Sequence, residues 1–181
     1  METTDKHTYQ PDDYVSYAGS GVCRVIGQET QSPDGIQEIQ YYKLQPLDSK
    51  NSTYYVPVEH AEMRLRPLLT KEEIYHLIDE IPAESEEAWC TNSRERRNQF
   101  HTVLGGDDNR EIIRMMRTLH QEQERKKHTG HKLSSADESA MYAAENRVYQ
   151  EFGLVLGIRP EKVHDFILKH LERSEERRVG K

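Results

Sequence analysis

Apolar and polar residues alternate with a period of two over the first third of the chain, then take up the period of helices. Between Tyr14 and about Leu65, Val15 and Tyr17 fall on one face, and Val22, Arg24 and Ile26 oppose Cys23 and Val25. Tyr42 and Leu44 oppose Tyr41 and Lys43, and Tyr54, Val56 and Val58 oppose Tyr55 and Pro57. β-Branched and aromatic residues fill these runs, as strands prefer. The breaks carry turn chemistry: Gly19, Ser20 and Gly21; Pro33, Asp34 and Gly35; and the polar stretch 48–52. Four or five short strands are predicted in a strongly bent sheet or small barrel. Pro57 has no N–H to give to a ladder, so its strand should end there or lie at an edge.

Beyond Pro67 the period is helical. Thr70 and Glu73 form a capping box opening a helix that runs to about Ile81. Residues 82–87 read as an acidic connector. A second helix is expected from about Asn92 to Leu104, stopped at Gly105 and Gly106. Asp108 and Glu111 cap a third, with Ile112, Met116 and Leu119 on one stripe and an end near His128–His131. Ser135 and Glu138 cap a fourth, in which Met141, Ala144, Val148, Phe152 and Val155 share a face. Pro160 suits the first position of a fifth, lined by Val163, Phe166, Ile167, His170 and Leu171. Residues 1–11 are expected to fray and residues 173–181, without an apolar period, to form a disordered tail.

The fold class is therefore α+β: a Tudor-like or SH3-like small β-barrel over residues 1–66, then an all-α helical bundle over 67–172 that buries its stripes internally. The chain of 181 residues has a net charge of −7, which by itself argues against nucleic acid. The distribution alters that. Residues 1–66 hold 6 basic and 10 acidic residues, residues 67–93 hold 1 and 7, and residues 94–181 hold 18 and 15, so only the last segment carries a basic excess. That excess fits either a solvated, ion-paired helical face or a phosphate-facing surface. No apolar run reaches the roughly 20 residues of a membrane helix. Met1–His7 lacks the pattern of a signal peptide. With only Cys23 and Cys90, a disulfide scaffold is not expected, and a reducing cytoplasm is.

Several motifs together resemble the CarD family of bacterial transcription regulators: Tyr14-Val-Ser-Tyr-Ala-Gly-Ser-Gly-Val22, Tyr41-Tyr-Lys-Leu44, Tyr55-Val-Pro-Val-Glu-His-Ala-Glu62, and Arg94-Glu-Arg-Arg97 ahead of Gly105-Gly-Asp107. The likeness covers roughly Asp13 to Leu171. The first domain also resembles the polymerase-binding module of transcription-repair coupling factors, but the chain has none of their helicase domains. The resemblance implies a Tudor-like domain docked on the RNA polymerase β subunit through an exposed strand edge. It implies a helical domain lying at the upstream edge of the promoter bubble. There a tryptophan wedges into the minor groove and basic residues touch the backbone, which prolongs the open complex.

Carried onto this chain, the resemblance makes Trp89 the wedge, because a large flat ring can hold a base step apart. The plainer reading is a packing anchor for the connector. In some family members the tryptophan stands in the register of Asn92. Arg94, Arg96, Arg97, Lys126 and Lys127 are candidate phosphate contacts, or ordinary surface charge. Arg24, Gln31, Tyr54, Tyr55, Val56 and Pro57 are candidate polymerase contacts, with Tyr54 and Val56 equally readable as barrel core. Some family members carry arginines at positions matching Gln31 and Tyr55. His128 and His131 lack a third ligand in view, so no metal site is expected, and no cofactor or catalytic constellation stands out. The expected molecule is a monomeric, non-enzymatic, DNA-contacting regulator. Its rivals are a polymerase-binding module without DNA contact, and a peptide reader with Tyr17, Tyr41 and Tyr54 as a cation cage.

Overall fold

A computed structural model describes residues 8–83 and 87–180. Of the stretch 1–11 expected to fray, residues 1–7 lie outside the described residues, as do the middle of the acidic connector at 84–86 and residue 181. The rest falls into two compact units, divided between Leu68 and Leu69.

The first unit is an antiparallel sheet of five strands: β1 (Tyr14–Tyr17), β2 (Gly21–Gln31), β3 (Ile39–Pro46), β4 (Tyr54–Pro57) and β5 (Leu65–Pro67). Their order is β4-β3-β2-β1-β5. The β1–β2 turn is closed by Ser20 N–H donating to the Tyr17 carbonyl at 2.9 Å, with Gly19 and Gly21 at φ 80° and 88°, a region that L side chains resist. In the β2–β3 loop, Asp34 Oδ1 accepts from the N–H groups of Ile36 and Gln37. Those bonds, Gln37 first, hold the Asp34 carboxyl below its ordinary value.

Val15, Cys23, Val25, Tyr42, Leu44, Val56 and Leu65 bury together in one core, each full burial of a Val or Leu contributing about 1.5–3 kcal/mol. Every strand feeds that core. The ladder itself has two ends: among the described residues no β4–β5 pairing joins them. A register shift between Val25 and Gly27 inserts Ile26 as an extra, exposed residue in β2.

The second unit has five helices: α1 (Lys71–Glu80), α2 (Ser93–Gly105), α3 (Asn109–His128), α4 (Ser135–Leu156) and α5 (Pro160–Val179). Local chemistry sets their starts. Thr70 and Glu73 complete a reciprocal capping box, Asn92 caps α2, Asp108 caps α3 and Ser134 caps α4. Gly157, at φ 71°, ends α4. Ile74, Ile78, Ile112, Met115, Met116, Leu119, Ala144, Val148, Phe152 and Val163 form the core.

Four details differ from the sequence reading. Tyr9, in the stretch 1–11 expected to fray, is buried in the core of the β-unit and its N–H donates to the Tyr42 hydroxyl at 3.3 Å. Ser134, not Ser135, caps α4, its Oγ accepting from Asp137 N–H. Pro67 pairs with Val15 in β5, so the β-unit reaches past residue 66. The helix α5 also continues through residues 173–179, where a disordered tail was expected. Glu and Arg are good helix formers, Ser174 Oγ donates to Asp79 Oδ1 at 3.2 Å, and Arg177 and Arg178 complement the helix C-terminus.

Arginines and a glutamate close other helix ends. Arg147 donates to the carbonyls of Leu104 (2.8 Å) and Gly106 (3.1 Å) at the end of α2. Arg117 does so at Ile81, after α1. Buried Glu151 accepts from Leu69 N–H and Asn109 Nδ2. The arginines satisfy carbonyls that helix ends leave without partners, and Glu151 ties the residue ahead of the α1 cap to the first side chain of α3. No helix of the described residues is long and apolar enough to cross a membrane.

Candidate functional site

The β-unit register sorts the candidate polymerase contacts by face. Tyr42 opposes Val56 and Leu44 opposes Tyr54, so these four point to the core side. Tyr41 opposes Pro57 and Lys43 opposes Tyr55, on the other side. Arg24 and Gln31 stand in register with Gln45 and Ile39, which share the outer parity of Tyr41. Arg24, Gln31, Tyr55 and Pro57 therefore lie on one outer face, which ends at the β4 edge. Val56 is 1% exposed, main chain included, so of the candidate contacts it offers a partner almost no surface. Tyr54 packs edge-on against Tyr17, ring centroids 5.4 Å apart.

Charge on that outer face is largely internally matched. Arg24 Nη1 pairs with Asp12 at 2.8 Å and its Nη2 donates to Gln45 Oε1 at 3.2 Å. Lys43 lies 3.7 Å from Glu29, and Gln31 donates to Glu29 at 3.2 Å. The unmatched feature is aromatic: Tyr41 and Tyr55 meet edge-on at 6.4 Å, with Tyr55 exposed. The same register rules out the cation cage proposed for Tyr17, Tyr41 and Tyr54, because Tyr41 faces away from the other two.

In the helical unit Trp89 precedes α2 in a segment without helix or strand. It is half-buried and packs toward the helical core, its ring centroid 6.4 Å from that of Phe100. It also borders a cavity of ≈ 150 Å³ with Val103, Met115 and Arg114. Asn92, the alternative register, is occupied as the α2 cap: its Oδ1 accepts from the N–H groups of Arg94 and Glu95.

The three arginines of α2 have different fates. Arg94 and Arg97 are exposed and have no ion pair among the described residues. Arg96 is 8% exposed. Its Nε and Nη2 donate to the two oxygens of Asp137, both at 2.9 Å, and its Nη1 donates to the Cys90 carbonyl at 2.8 Å. Its guanidinium carbon sits 4.5 Å from the centre of the Trp89 ring. This corrects the expectation of a phosphate contact: the Arg96 side chain is enclosed and its donors are taken within the helical unit. Lys126 is half-buried, and Lys127 Nζ donates to Glu124 Oε1 at 2.8 Å in an ion pair whose two side chains are well exposed.

Burial pushes the Asp137 carboxyl up, but hydrogen bonds from Arg96 and Ser134 and the charges of Arg96 and Lys126 outweigh it and hold it below the ordinary range. Glu122, bonded to Arg125, is lowered as well. A carboxyl depressed on folding stabilises the fold above its unfolded pKa, and loses that contribution as pH falls through the folded value. The unfolding midpoint of the helical unit should therefore hold steady from neutrality to about pH 4.5 and drop below that. Asp137→Asn should remove part of the drop in acid titrations followed by circular dichroism. An equally steep drop in that variant would assign the acid sensitivity elsewhere.

Sequence reasoning found Trp89 and the exposed arginines but missed Asp137 as a partner, reading it only as part of the α4 start. The available signal was spacing: Arg96 stands four and seven residues before Phe100 and Val103, on the α2 face that packs inward. Among the described residues, no group of three or more His, Cys, Asp or Glu side chains could hold a metal ion. His131 Nδ1 instead lies 3.2 Å from Thr129 Oγ1.

Residues 9–69 match the family model of the CarD-like/TRCF RID domain. The match takes in all five strands. No match to a curated protein was found. The β-unit of this chain is thus a CarD-like RNA-polymerase-interacting domain, a protein-interaction module rather than a member of an enzyme family.

Proposed function

We propose that a chain whose residues 9–69 form an RNA-polymerase-interacting domain acts as a bacterial transcription regulator that stabilises the promoter open complex. The domain, a Tudor-like barrel in this reading, grips the polymerase β subunit along the β4 edge. Main-chain groups supply the affinity, and the outer-face side chains Arg24, Gln31, Tyr55 and Pro57 the selectivity. The helical unit sets Trp89 against the minor groove at the upstream edge of the bubble, with Arg94, Arg97, Lys126 and Lys127 on the backbone. The protein works as a monomer, without cofactor, in the cytoplasm where polymerase is found. Two weak contacts joined in one chain raise the effective concentration of the second. Only the preference of the wedge for melted DNA shifts the equilibrium toward the open state.

The observation that carries this reading is the polymerase-interacting domain. The site around Trp89 supports the DNA half: a large ring stands at the start of a helix whose Arg94 and Arg97 are free of ion pairs among the described residues. Trp89→Ala should shorten the lifetime of competitor-challenged open complexes by about tenfold, within the range that unstacking wedges and large interface aromatics supply, while leaving polymerase binding intact. The packing of Trp89 on Phe100 favours the second reading, a polymerase-binding module without DNA contact. That reading prevails if lifetimes and footprints are the same with wild type and Trp89→Ala.

A further inference from the structure

We infer that Arg96 is a positioning residue for Trp89: anchored by Asp137, it fixes both the indole and the adjoining main chain of a segment that has no regular structure of its own. This rests on the reading of Trp89 as the wedge, and extends it to the device that aims the wedge.

Three contacts of one guanidinium make the case. The fork of Nε and Nη2 engages both Asp137 oxygens at 2.9 Å, a planar, bidentate geometry that fixes the plane of the group. Asp137 is itself held, accepting from Ser134 Oγ at 2.7 Å at the start of α4. With its plane fixed, the guanidinium lies over the Trp89 ring at 4.5 Å, where a cation meets the negative face of the indole. The remaining arm, Nη1, bonds the carbonyl of Cys90 at 2.8 Å, the residue after the tryptophan. A salt bridge serving stability alone would need only the first of these contacts. The other two fall on the wedge and on its main chain. Residues 87–92 form neither helix nor strand, so without that grip the indole would have to be ordered when it meets DNA. Ordering at that moment subtracts from the contact made with the parted base step. Lysine could keep the charge, but it has no planar face and cannot span the same three partners.

Trp89 is the sole tryptophan of the chain, so its fluorescence reports this geometry in the full-length protein. Arg96→Lys should raise acrylamide quenching of Trp89 about twofold and speed its anisotropy decay, as loss of a cation–π seat would. On a promoter whose open complex the wild-type chain prolongs, the same variant should shorten the lifetime about threefold, and Arg96→Lys should add nothing once Trp89 is alanine. Asp137→Asn, which leaves the guanidinium but weakens its anchor, should move both readouts the same way by less. Should Arg96→Lys not fold, Asp137→Asn decides by the same two readouts. Unchanged quenching and anisotropy would overturn the inference, as would an equal loss of lifetime in the Trp89→Ala background. If Trp89→Ala alone leaves lifetimes intact, the wedge reading fails, and the fluorescence result still decides whether Arg96 positions the indole.

Discussion

Asp137→Ala should cost the helical unit about 3–5 kcal/mol, the range for breaking a buried pair and leaving one charge without its partner. The size follows from the enclosure of both side chains, 10% and 6% exposed for Arg96 and Asp137. Removing the carboxylate strands a guanidinium that no water can reach freely, with only the Cys90 carbonyl and the indole face left to it. Ser134 Oγ also loses its acceptor at the start of α4, so the cost falls on the junction of α2 and α4. Urea unfolding followed by helicity would show a lower midpoint with an unchanged slope. Arg96→Met combined with Asp137→Leu should recover much of the loss, because the desolvation of both charges vanishes with them. If Asp137→Ala loses less than about 1 kcal/mol, the pair is as weak as a surface pair, and α2 is held by its apolar face alone.

That pair also marks where the sequence stops being legible. Helix starts could be read because their chemistry is local: Thr70 and Glu73, Asn92 and Asp108 lie within a few residues of the N–H groups they serve. Strand faces could be read because alternation is local as well, and Val15, Tyr42, Leu44 and Val56 all bury as their parity predicts. The bulge at Ile26 was not legible, since it depends on how β2 registers against β3. Nor was the sorting of Arg94, Arg96 and Arg97. Three arginines within four residues look alike until a carboxylate 41 positions away selects one of them. The extension of α5 was hidden for a related reason: Ser174 has its partner on α1, and the charged end of α5 has no apolar period to announce it. The candidate site was legible to the extent that it consists of exposed residues. Its internal support was not, because that support is made of long-range contacts.

The opposite facing of two neighbouring residues gives the second large effect, in the polymerase-interacting domain. Val56→Asp should abolish capture of a polymerase β-subunit fragment, and Tyr55→Ala should weaken it about tenfold. The two act by different routes. At Val56 a carboxylate would enter a core formed by Tyr42, Leu44 and Leu65, with a penalty of several kcal/mol. A small β-domain, whose whole stability is of order 5 kcal/mol, would unfold. Tyr55 is 39% exposed and its ring meets Tyr41 edge-on, so its loss should cost the fold about 0.5–1 kcal/mol. Its larger effect would be on the partner, because the charges of the outer face are already matched to each other and the tyrosine pair is what remains to be covered. Strand dichroism should therefore stay near wild type in Tyr55→Ala and collapse in Val56→Asp. Binding as tight as wild type in Tyr55→Ala would move the polymerase contact off this face, leaving the main-chain edge of β4 to hold it alone. Capture that is unaffected by raising salt fits an aromatic and main-chain contact, since the ion pairs Arg24–Asp12 and Lys43–Glu29 leave little charge for a partner to meet.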